Sequence, residues 1–259
     1  MQFAFGAGNM YVTQLQDAFG NTVANPTPWP LAVLQDGSVD ISGDLKELYG
    51  QNSFPAAAAR GKTKVQIKVK PARIFAGVWN AIFFGQTLAT GYVANFTDGS
   101  AGTAIPTTPF QITPTPPSGG VYAADLGVFN VATGLPFTRV ASAPAAGQYS
   151  VNVATGVYTF ASADNVSGIS VLINFQYTVS SAGSGQKQTV QNVQMGFAPA
   201  FRADLTVSYL GKLTNFQFYK CVATKMAANF KNEDFMVPEF DFSAFDNGAG
   251  QVMGWSTEE

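Results

Sequence analysis

The sequence predicts a mainly β fold, a β-sandwich or barrel with one packed α-helix and a small all-β insertion. Three observations lead to this prediction. Apolar and polar residues alternate with a period of two over many short stretches, which is typical of half-buried strands. Frequent glycines and prolines interrupt these stretches, as turns between strands require. One stretch, residues 72–84, instead carries its apolar residues at helical spacing.

Composition limits the functions that this chain can perform. Its 259 residues fit one large domain or two small ones, and a fold of this size buries a substantial core without disulfides or metal. Histidine is absent and Cys221 is the single cysteine, which excludes Ser-His and Cys-His nucleophile pairs, His-ligated metals and an intrachain disulfide. We therefore expect no catalytic residues, no cofactor and no metal, and the protein is not expected to be an enzyme.

The charge content predicts that other subunits cover much of the surface. Lys and Arg number 14 against 16 Asp and Glu, a net charge of −2, so a basic nucleic-acid footprint is absent. Charged residues make up only 12% of the chain, too few to keep a large surface monomeric. The longest apolar run, residues 75–84, is shorter than the roughly 18–20 residues of a spanning helix, and no basic residue precedes Lys46. We expect neither membrane insertion nor Sec export.

The main domain is predicted to comprise residues 1–85 and 186–259. Its first segment holds one strand, at residues 10–15. Pro26, Pro28 and Pro30 then stand at alternate positions, which favours an extended amino-terminal arm over a helix.

The clearest strand pair lies at residues 38–46 and 64–70. Apolar residues alternate with polar ones in both stretches: Val39, Ile41 and Leu45 in the first, Val65, Ile67 and Val69 in the second. Each stretch therefore has one apolar and one polar face, as expected of a half-buried antiparallel pair. One register places Asp40 and Asp44 near Lys70 and near Lys64 or Lys68, where charge pairing stabilises a sheet slightly.

The connection between these strands, residues 49–61, is long for a hairpin and unusually apolar. It contains Tyr49, Phe54 and Pro55, then four alanines before Arg60. A loop free in solution is normally polar. The segment either folds back onto its own domain or packs against a neighbouring subunit, and we favour the neighbour.

The predicted helix spans residues 72–84. Pro71 stands at its start and Gly85 just past its end, as helix boundaries prefer. Two apolar rows follow the helical spacing: Ile74, Val78 and Ile82 in one, and Phe75, Trp79 and Phe83 in the other. The polar stripe is limited to Arg73 and Asn80, so we expect the helix to be buried on most sides.

Residues 86–185 are predicted to form a charge-poor β insertion. Only four charged residues occur there, Asp98, Asp125, Arg139 and Asp164. Short strands are predicted at residues 122–130, 149–153, 157–160 and 169–179. The hexapeptides FNVATG at 129–134 and VNVATG at 151–156 are interpreted as two turns that end in glycine.

Strand patterns resume after the insertion, at residues 188–195, 201–209, 215–222, 235–242 and 251–255. Pro238 cannot donate a hydrogen bond to a neighbouring strand, which places its strand at an edge or a bulge.

No motif for catalysis or ligand binding stands out. Lys220 precedes Cys221, but adjacent strand residues point to opposite faces, which predicts an unreactive thiol. The acidic residues near Glu239 and Asp241 match no calcium-loop spacing. The lysines at 62–70 are interpreted as one side of a paired polar sheet face.

Three segments resemble known phage proteins. The run at residues 39–62, VDISGDLKELYGQNSFPAAAARGK, and the ending at 229–245, NFKNEDFMVPEFDFSAF, resemble the tail tube (major tail) proteins of tailed bacteriophages. The segments APAAGQY and GVYTF, within residues 143–160, are similar to β modules of phage structural proteins. The similarity covers roughly the first 85 and the last 65 residues.

This resemblance implies a structural virion protein that forms hexameric rings. Sheets of neighbouring subunits would join into a continuous inner barrel, and rings would stack into a hollow tube through which DNA passes transiently into the host. The implied location is the virion tail, assembled in the bacterial cytoplasm. The implied partners are other copies of the chain, a sheath or terminator protein, the baseplate and the tape measure protein.

Two sets of site residues follow from the resemblance. Tyr49, Phe54, Pro55 and Arg60 would lie in an inter-ring contact loop. The lumen would be neutral or acidic, because each fixed phosphate contact would add affinity and slow DNA passage. The face with Lys64 and Lys68 would line it only if Asp40, Asp44 and acidic residues of neighbouring subunits outweigh the lysines. A separate face with Glu239 and Asp241 is the alternative lining.

Other interpretations stay open at this stage. A head decoration, tail terminator or baseplate protein would use a similar scaffold but form a fixed small oligomer or bind the capsid. A surface or carbohydrate-binding β module would be a monomer with an exposed aromatic cleft.

Overall fold

A computed structural model describes residues 6, 8–73, 75–97 and 101–258, excluding the side chains of residues 32–33. Within these residues the fold is mainly β, as predicted. The strands in chain order are β1 (Asn9–Gln16), β2 (Pro28–Tyr49), β3 (Pro55–Pro71), β4 (Ala89–Thr90), β5 (Tyr92–Thr97), β6 (Thr103–Ala104), β7 (Gln111–Ile112), β8 (Val121–Asn130), β9 (Thr138–Arg139), β10 (Gln148–Asn152), β11 (Val157–Phe160), β12 (Ser170–Val179), β13 (Gln186–Lys187), β14 (Ala200–Tyr209), β15 (Lys212–Ala228), β16 (Pro238–Ala244) and β17 (Met253–Thr257). The helical segments are α1 (Ala76–Trp79), which continues as a turn of π-helix (Asn80–Phe84), a 3-10 turn (Pro117–Gly119) and α2 (Ser162–Val166).

The chain divides into two compact units. Unit 1 contains the residues up to Leu88 and from Gln188 onward, and unit 2 is Ala89–Lys187. The predicted domain boundaries lay at 85–86 and 185–186. Each unit has its own cluster of buried apolar side chains.

Unit 1 is built from one sheet that closes on itself. Its strand order is β14-β1-β2-β3-β16-β15-β17, and β14 also pairs with β15, so six strands form a ring and β17 lies beside β15. The apolar faces of these strands make the core, where Met10, Phe201, Phe218 and Phe240 have no exposed surface. Polar side chains occupy the opposite face. This arrangement buries a large apolar area without a second sheet.

The helix of unit 1 packs against this core through Val78, Ala81 and Ile82. It begins at Ala76 and not at residue 72, because Pro71 pairs with Leu34 at the end of β3. Gly85 follows its end with a φ of 60°, as the sequence predicted. Ile74 lies outside the described residues.

Asn80 is the one polar side chain of the helix, residues 76–84. It is buried, and its amide donates to the backbone oxygen of Gln86 at 2.6 Å and accepts from the Gln188 amide at 2.7 Å. Gln86 in turn accepts a hydrogen bond from the Gln191 backbone N–H at 2.9 Å. These bonds hold residues 188–191 against the helix. A strand was predicted at residues 188–195, and none forms there.

The predicted amino-terminal arm is part of the sheet where it is described. β1 confirms the strand predicted at residues 10–15 and lies between β14 and β2. Pro28 and Pro30 are extended, as predicted, but they belong to β2 and lie opposite Thr13 and Tyr11 of β1. Residues 1–5 and 7 lie outside the described part of the chain.

Pro238 predicted that its strand lies at an edge or a bulge, and β16 is instead a central strand, although its pairing with β3 begins only at Phe240. It lies between β3 and β15. Pro238 is its first residue and is buried opposite Ala228. The first position of a strand tolerates proline, which explains the error.

Unit 2 contains the four strands predicted in the insertion, as β8, β10, β11 and β12. β12 pairs with β5, β6 and β8, and a second sheet has the order β7-β11-β10-β9. Both glycine-ended turns are confirmed: Gly134 and Gly156 have φ values of 68° and 71° and donate to the backbone oxygens of Asn130 and Asn152, each at 2.8 Å. Left-handed backbone of this kind favours glycine.

Candidate assembly surfaces

The predicted contact loop at residues 49–61 is mostly strand. β2 and β3 remain paired out to Tyr49 opposite Pro55, so only residues 50–54 form a turn. We call residues 40–64 the ribbon. Every residue of the ribbon is exposed. The segment therefore does not fold back onto unit 1.

The ribbon carries large apolar side chains in solvent. Ile41, Leu45, Leu48 and Tyr49 are all more than half exposed, and Phe54 in the turn is 82% exposed. The sequence predicted that the apolar face of each strand is buried. This is wrong for Ile41 and Leu45 of β2 and right for the apolar residues of β3 at positions 65–69. Val65, Ile67 and Val69 are buried because β16 pairs with that part of β3 alone.

Three of the four predicted contact residues, Tyr49, Phe54 and Pro55, lie at the end of the ribbon, and Arg60 lies farther back along it. Tyr49 and Pro55 pair across the strands, and Phe54 lies in the turn beside them. The Tyr49 hydroxyl donates to the Glu47 carboxylate, and this bond raises the pKa of Tyr49. Arg60 lies opposite Leu45. Its aliphatic carbons pack against Gly43, where an added Cβ would just touch them.

The two predicted lumen faces are a single face of the closed sheet. Directly opposed residues share a face in antiparallel pairs. Two rows across the sheet follow from the register: Asp40, Gln66 and Ser243 in one, and Ser38, Lys68, Asp241 and Lys225 in the next. Glu239 lies two residues from Asp241 and therefore on the same face.

The charge pairs on this face differ from the predicted register. Lys70 pairs with Asp36 at 3.5 Å and not with Asp40, and Lys225 pairs with Glu239 at 3.5 Å. Asp40 lies opposite Gln66, so Lys64 and Lys68 are its diagonal neighbours. Asp44 lies farther out, at a bulge of the ribbon.

One part of this face, across β2, β3, β16 and β15, is electrically balanced. The strand rows from Asp36 to Ser42 of β2 carry four lysines and four carboxylates: Lys64, Lys68, Lys70, Lys225, Asp36, Asp40, Glu239 and Asp241. The sum of four positive and four negative charges is zero. Such a surface offers phosphate groups no net attraction.

A second apolar surface was missed by the sequence analysis. Residues 229–237, which connect β15 to β16, expose Phe230 by 81% and Phe235 by 91%. The acidic residues Glu233 and Asp234 lie between them in the sequence. The signal that was available is the pair of phenylalanines in an otherwise polar connection.

An apolar pocket of about 310 Å³ lies beside the π-helical turn. Its lining includes Ile82, Phe84, Phe197, Pro199 and Val222. None of its described lining residues is charged, and its two glutamines, Gln86 and Gln191, are hydrogen-bonded to each other.

Cys221 is fully buried, and burial raises the pKa of its thiol. The Lys220 ammonium lies over the ring of Phe245, 5.4 Å from its centre. The thiol is therefore neither accessible nor activated, in agreement with the sequence prediction.

Asp125 of unit 2 is the centre of a buried polar cluster. Its carboxylate accepts hydrogen bonds from the hydroxyls of Tyr149 at 2.8 Å and Tyr158 at 3.0 Å and from the Gly127 N–H at 3.0 Å. Arg139 lies 3.5 Å away. Burial, followed by the bonds to neighbouring groups, raises the pKa of both tyrosines. Every partner is internal, so the cluster stabilises unit 2.

In the described ranges, no group of three or more acidic or cysteine side chains is arranged to hold a metal ion. No helix among the residues described is long and apolar enough to span a bilayer. No protein-family model matches the chain, and no curated protein matches it significantly.

Proposed function

We propose that this chain is a non-enzymatic subunit of a bacteriophage tail tube. Copies form hexameric rings, and the rings stack around a lumen through which DNA enters the host. The subunit acts in the virion tail after assembly in the bacterial cytoplasm. Its partners are further copies of itself, the tape measure protein, the baseplate and a sheath or terminator protein.

The exposed ribbon is the observation that carries this proposal. β1 pairs with β2 only as far as Val33, and β16 pairs with β3 only from Val65 onward, so no third strand joins the ribbon among the described residues. A two-stranded ribbon is marginally stable in water by itself. Exposed apolar side chains on such a ribbon indicate a surface that another molecule covers.

The resemblance at residues 39–62 supports a second copy of the chain as that molecule. The similar segment coincides almost completely with the ribbon, so sequence similarity and exposure independently single out the same residues. The low charge content of the whole chain also favours extensive contact between subunits.

The balanced polar face is the proposed lining of the lumen. DNA passage requires a wall without net attraction for phosphate, and four lysines opposed by four carboxylates meet that requirement. Asp40, Glu239 and Asp241 lie on this face, and their role is to cancel the lysines.

Negative-stain electron microscopy of the purified protein over a concentration series tests the proposal. We expect hollow tubes or stacked rings with six-fold end views. The variant Phe54→Ser should raise the concentration needed for assembly about tenfold, since it removes one exposed phenyl ring from each contact. Val166→Ser, at an equally exposed apolar position of unit 2, is the matched control and should assemble normally.

Two outcomes contradict the proposal. Rings that never stack at any concentration would identify a terminator or baseplate component. A monomer at every concentration, with the ribbon exposed, would remove the self-association on which the proposed function depends.

A further inference from the structure

We propose that the surface receiving the ribbon on a second copy is the loop at residues 229–237. This inference rests on the proposed function and adds to it the identity of the contacting surface. The loop and the ribbon turn both expose aromatic side chains. The turn precedes β3 and the loop precedes β16, and because these two strands are antiparallel, the two surfaces lie at opposite ends of the pair.

The register of β3 and β16 places the two surfaces apart. Phe240 lies opposite Val69 and Ala244 opposite Val65, so β16 pairs with the part of β3 that is remote from the ribbon turn. The 229–237 loop precedes Pro238 and is therefore at the Pro71 end of β3. At about 3.3 Å per residue, β3 separates that end from Pro55 by about 50 Å.

Each surface has apolar side chains that a contact would bury. Phe54 is 82% exposed in the turn, and Phe230 and Phe235 are 81% and 91% exposed in the loop. Phenylalanine rings that meet edge to face or offset gain stability beyond the area that they bury. Aromatic residues are also enriched at the centres of protein interfaces.

The charges of the two surfaces are complementary. Residues 44–62 of the ribbon carry Lys46, Arg60 and Lys62 against Asp44 and Glu47, a sum of +1. Residues 229–237 carry Lys231 against Glu233 and Asp234, a sum of −1. Opposite net charges favour this pairing over contact between two ribbons or two loops.

Contact between different surfaces at opposite ends of a subunit repeats from copy to copy. A heterologous contact of this kind generates open assemblies when it does not close on itself. The arrangement therefore stacks subunits head to tail, with the ribbon of each one directed to the loop of the next.

Cross-linking with single and double cysteine variants tests the contact in assembled protein. Ser53→Cys lies in the ribbon turn and Asn232→Cys in the loop, and both positions are exposed. Cys221 is buried, so a short bis-maleimide will react with the introduced thiols. We expect the double variant to form a ladder of cross-linked multimers and each single variant to remain monomeric on a denaturing gel. Mass spectrometry should identify a cross-linked peptide joining residues 53 and 232.

A double variant with Ser53→Cys and Ser142→Cys, an exposed position of unit 2, is the control and should give no ladder. Phe235→Ser should raise the assembly concentration about tenfold, the same change that is expected for Phe54→Ser. Tubes that form without a link between residues 53 and 232, or that tolerate Phe235→Ser, would overturn the contact and leave the proposed function intact. Dimers from either single variant would show like-with-like contact and also overturn it. Failure to assemble at all would overturn both proposals.

Discussion

The two units use their charged residues in opposite ways. In unit 1, eight charged side chains form a balanced pattern on the polar face of the sheet, where Lys70 and Asp36 remain 44% and 67% exposed. In the charge-poor insertion, Asp125 is 4% exposed and is bonded to two tyrosines, a backbone N–H and Arg139. Asp164 is also buried and accepts a hydrogen bond from the Gly147 N–H.

This difference indicates what each unit requires of a charge. Exposed ion pairs contribute little to stability because water screens them, so the pattern of unit 1 matters for what the surface attracts or repels. A buried carboxylate is costly unless every oxygen is hydrogen-bonded, so Asp125 fixes the packing of the strands around it. The stability of unit 2 therefore depends on a few buried charges. In unit 1, many exposed charges of opposite sign cancel and leave the surface with little net charge.

The largest expected effects come from the two separate cores. Phe240 of unit 1 and Phe175 of unit 2 have no exposed surface. Either change to Ala should cost about 3–5 kcal/mol of unfolding free energy. Because the two clusters have no buried residue in common, each variant should shift one of two calorimetric transitions of the full chain. A shift of both transitions by both variants would show that the units unfold together.

The second prediction compares the loss of stability on removing a buried charge with the loss on removing an exposed one. Asp125→Ala leaves two buried tyrosine hydroxyls without their acceptor and should lower the stability of unit 2 by about 3 kcal/mol. Lys70→Ala breaks an exposed pair of unit 1 and is the matched control, with a change within about 0.5 kcal/mol. Chemical denaturation of each variant measures both values. Equal losses in the two variants would contradict the comparison.

The smallest effect concerns alkaline pH. Burial raises the folded-state pKa of Tyr149 and Tyr158 above the ordinary value of 10.0, and that of Cys221 above 9.0. A raised pKa means that the folded state holds its proton more tightly, so this stability is complete below the ordinary value and is lost as pH rises above it. Each group contributes a slope of about 1.4 kcal/mol per pH unit.

Unit 1 should therefore begin to weaken above pH 9 and unit 2 above pH 10, with the steeper fall in unit 2. Thermal unfolding between these values and pH 11 measures both slopes. Tyr158→Phe should reduce the slope of unit 2 by about 1.4 kcal/mol per pH unit, and Cys221→Ala should do the same for unit 1. Unchanged slopes in these variants would contradict the assignment.

Local sequence pattern was sufficient for most strands and for the turns. The alternation at residues 64–70 and 201–209 predicted β3 and β14, and the glycines of the two similar hexapeptides predicted turns that the structure confirms. These features depend on neighbours within a few residues, through side-chain alternation and through backbone that only glycine adopts easily.

Partners distant in sequence decided the remaining features. Residues 55–60 read as a loop, yet they form a strand because Leu45–Tyr49 lie opposite them. Pro238 predicted an edge or a bulge, yet β3 and β15 flank its strand.

The candidate surfaces divide in the same way. Residue types alone showed that residues 49–61 are apolar and excluded histidine and disulfide chemistry, because these conclusions need only composition and local hydropathy. Three other features depend on register: the segment is a projecting ribbon, Asp40 and Asp241 share one face, and Phe235 is exposed at the opposite end. Register is a property of strands far apart in the chain, since a shift of one residue exchanges the faces of a strand without changing its sequence.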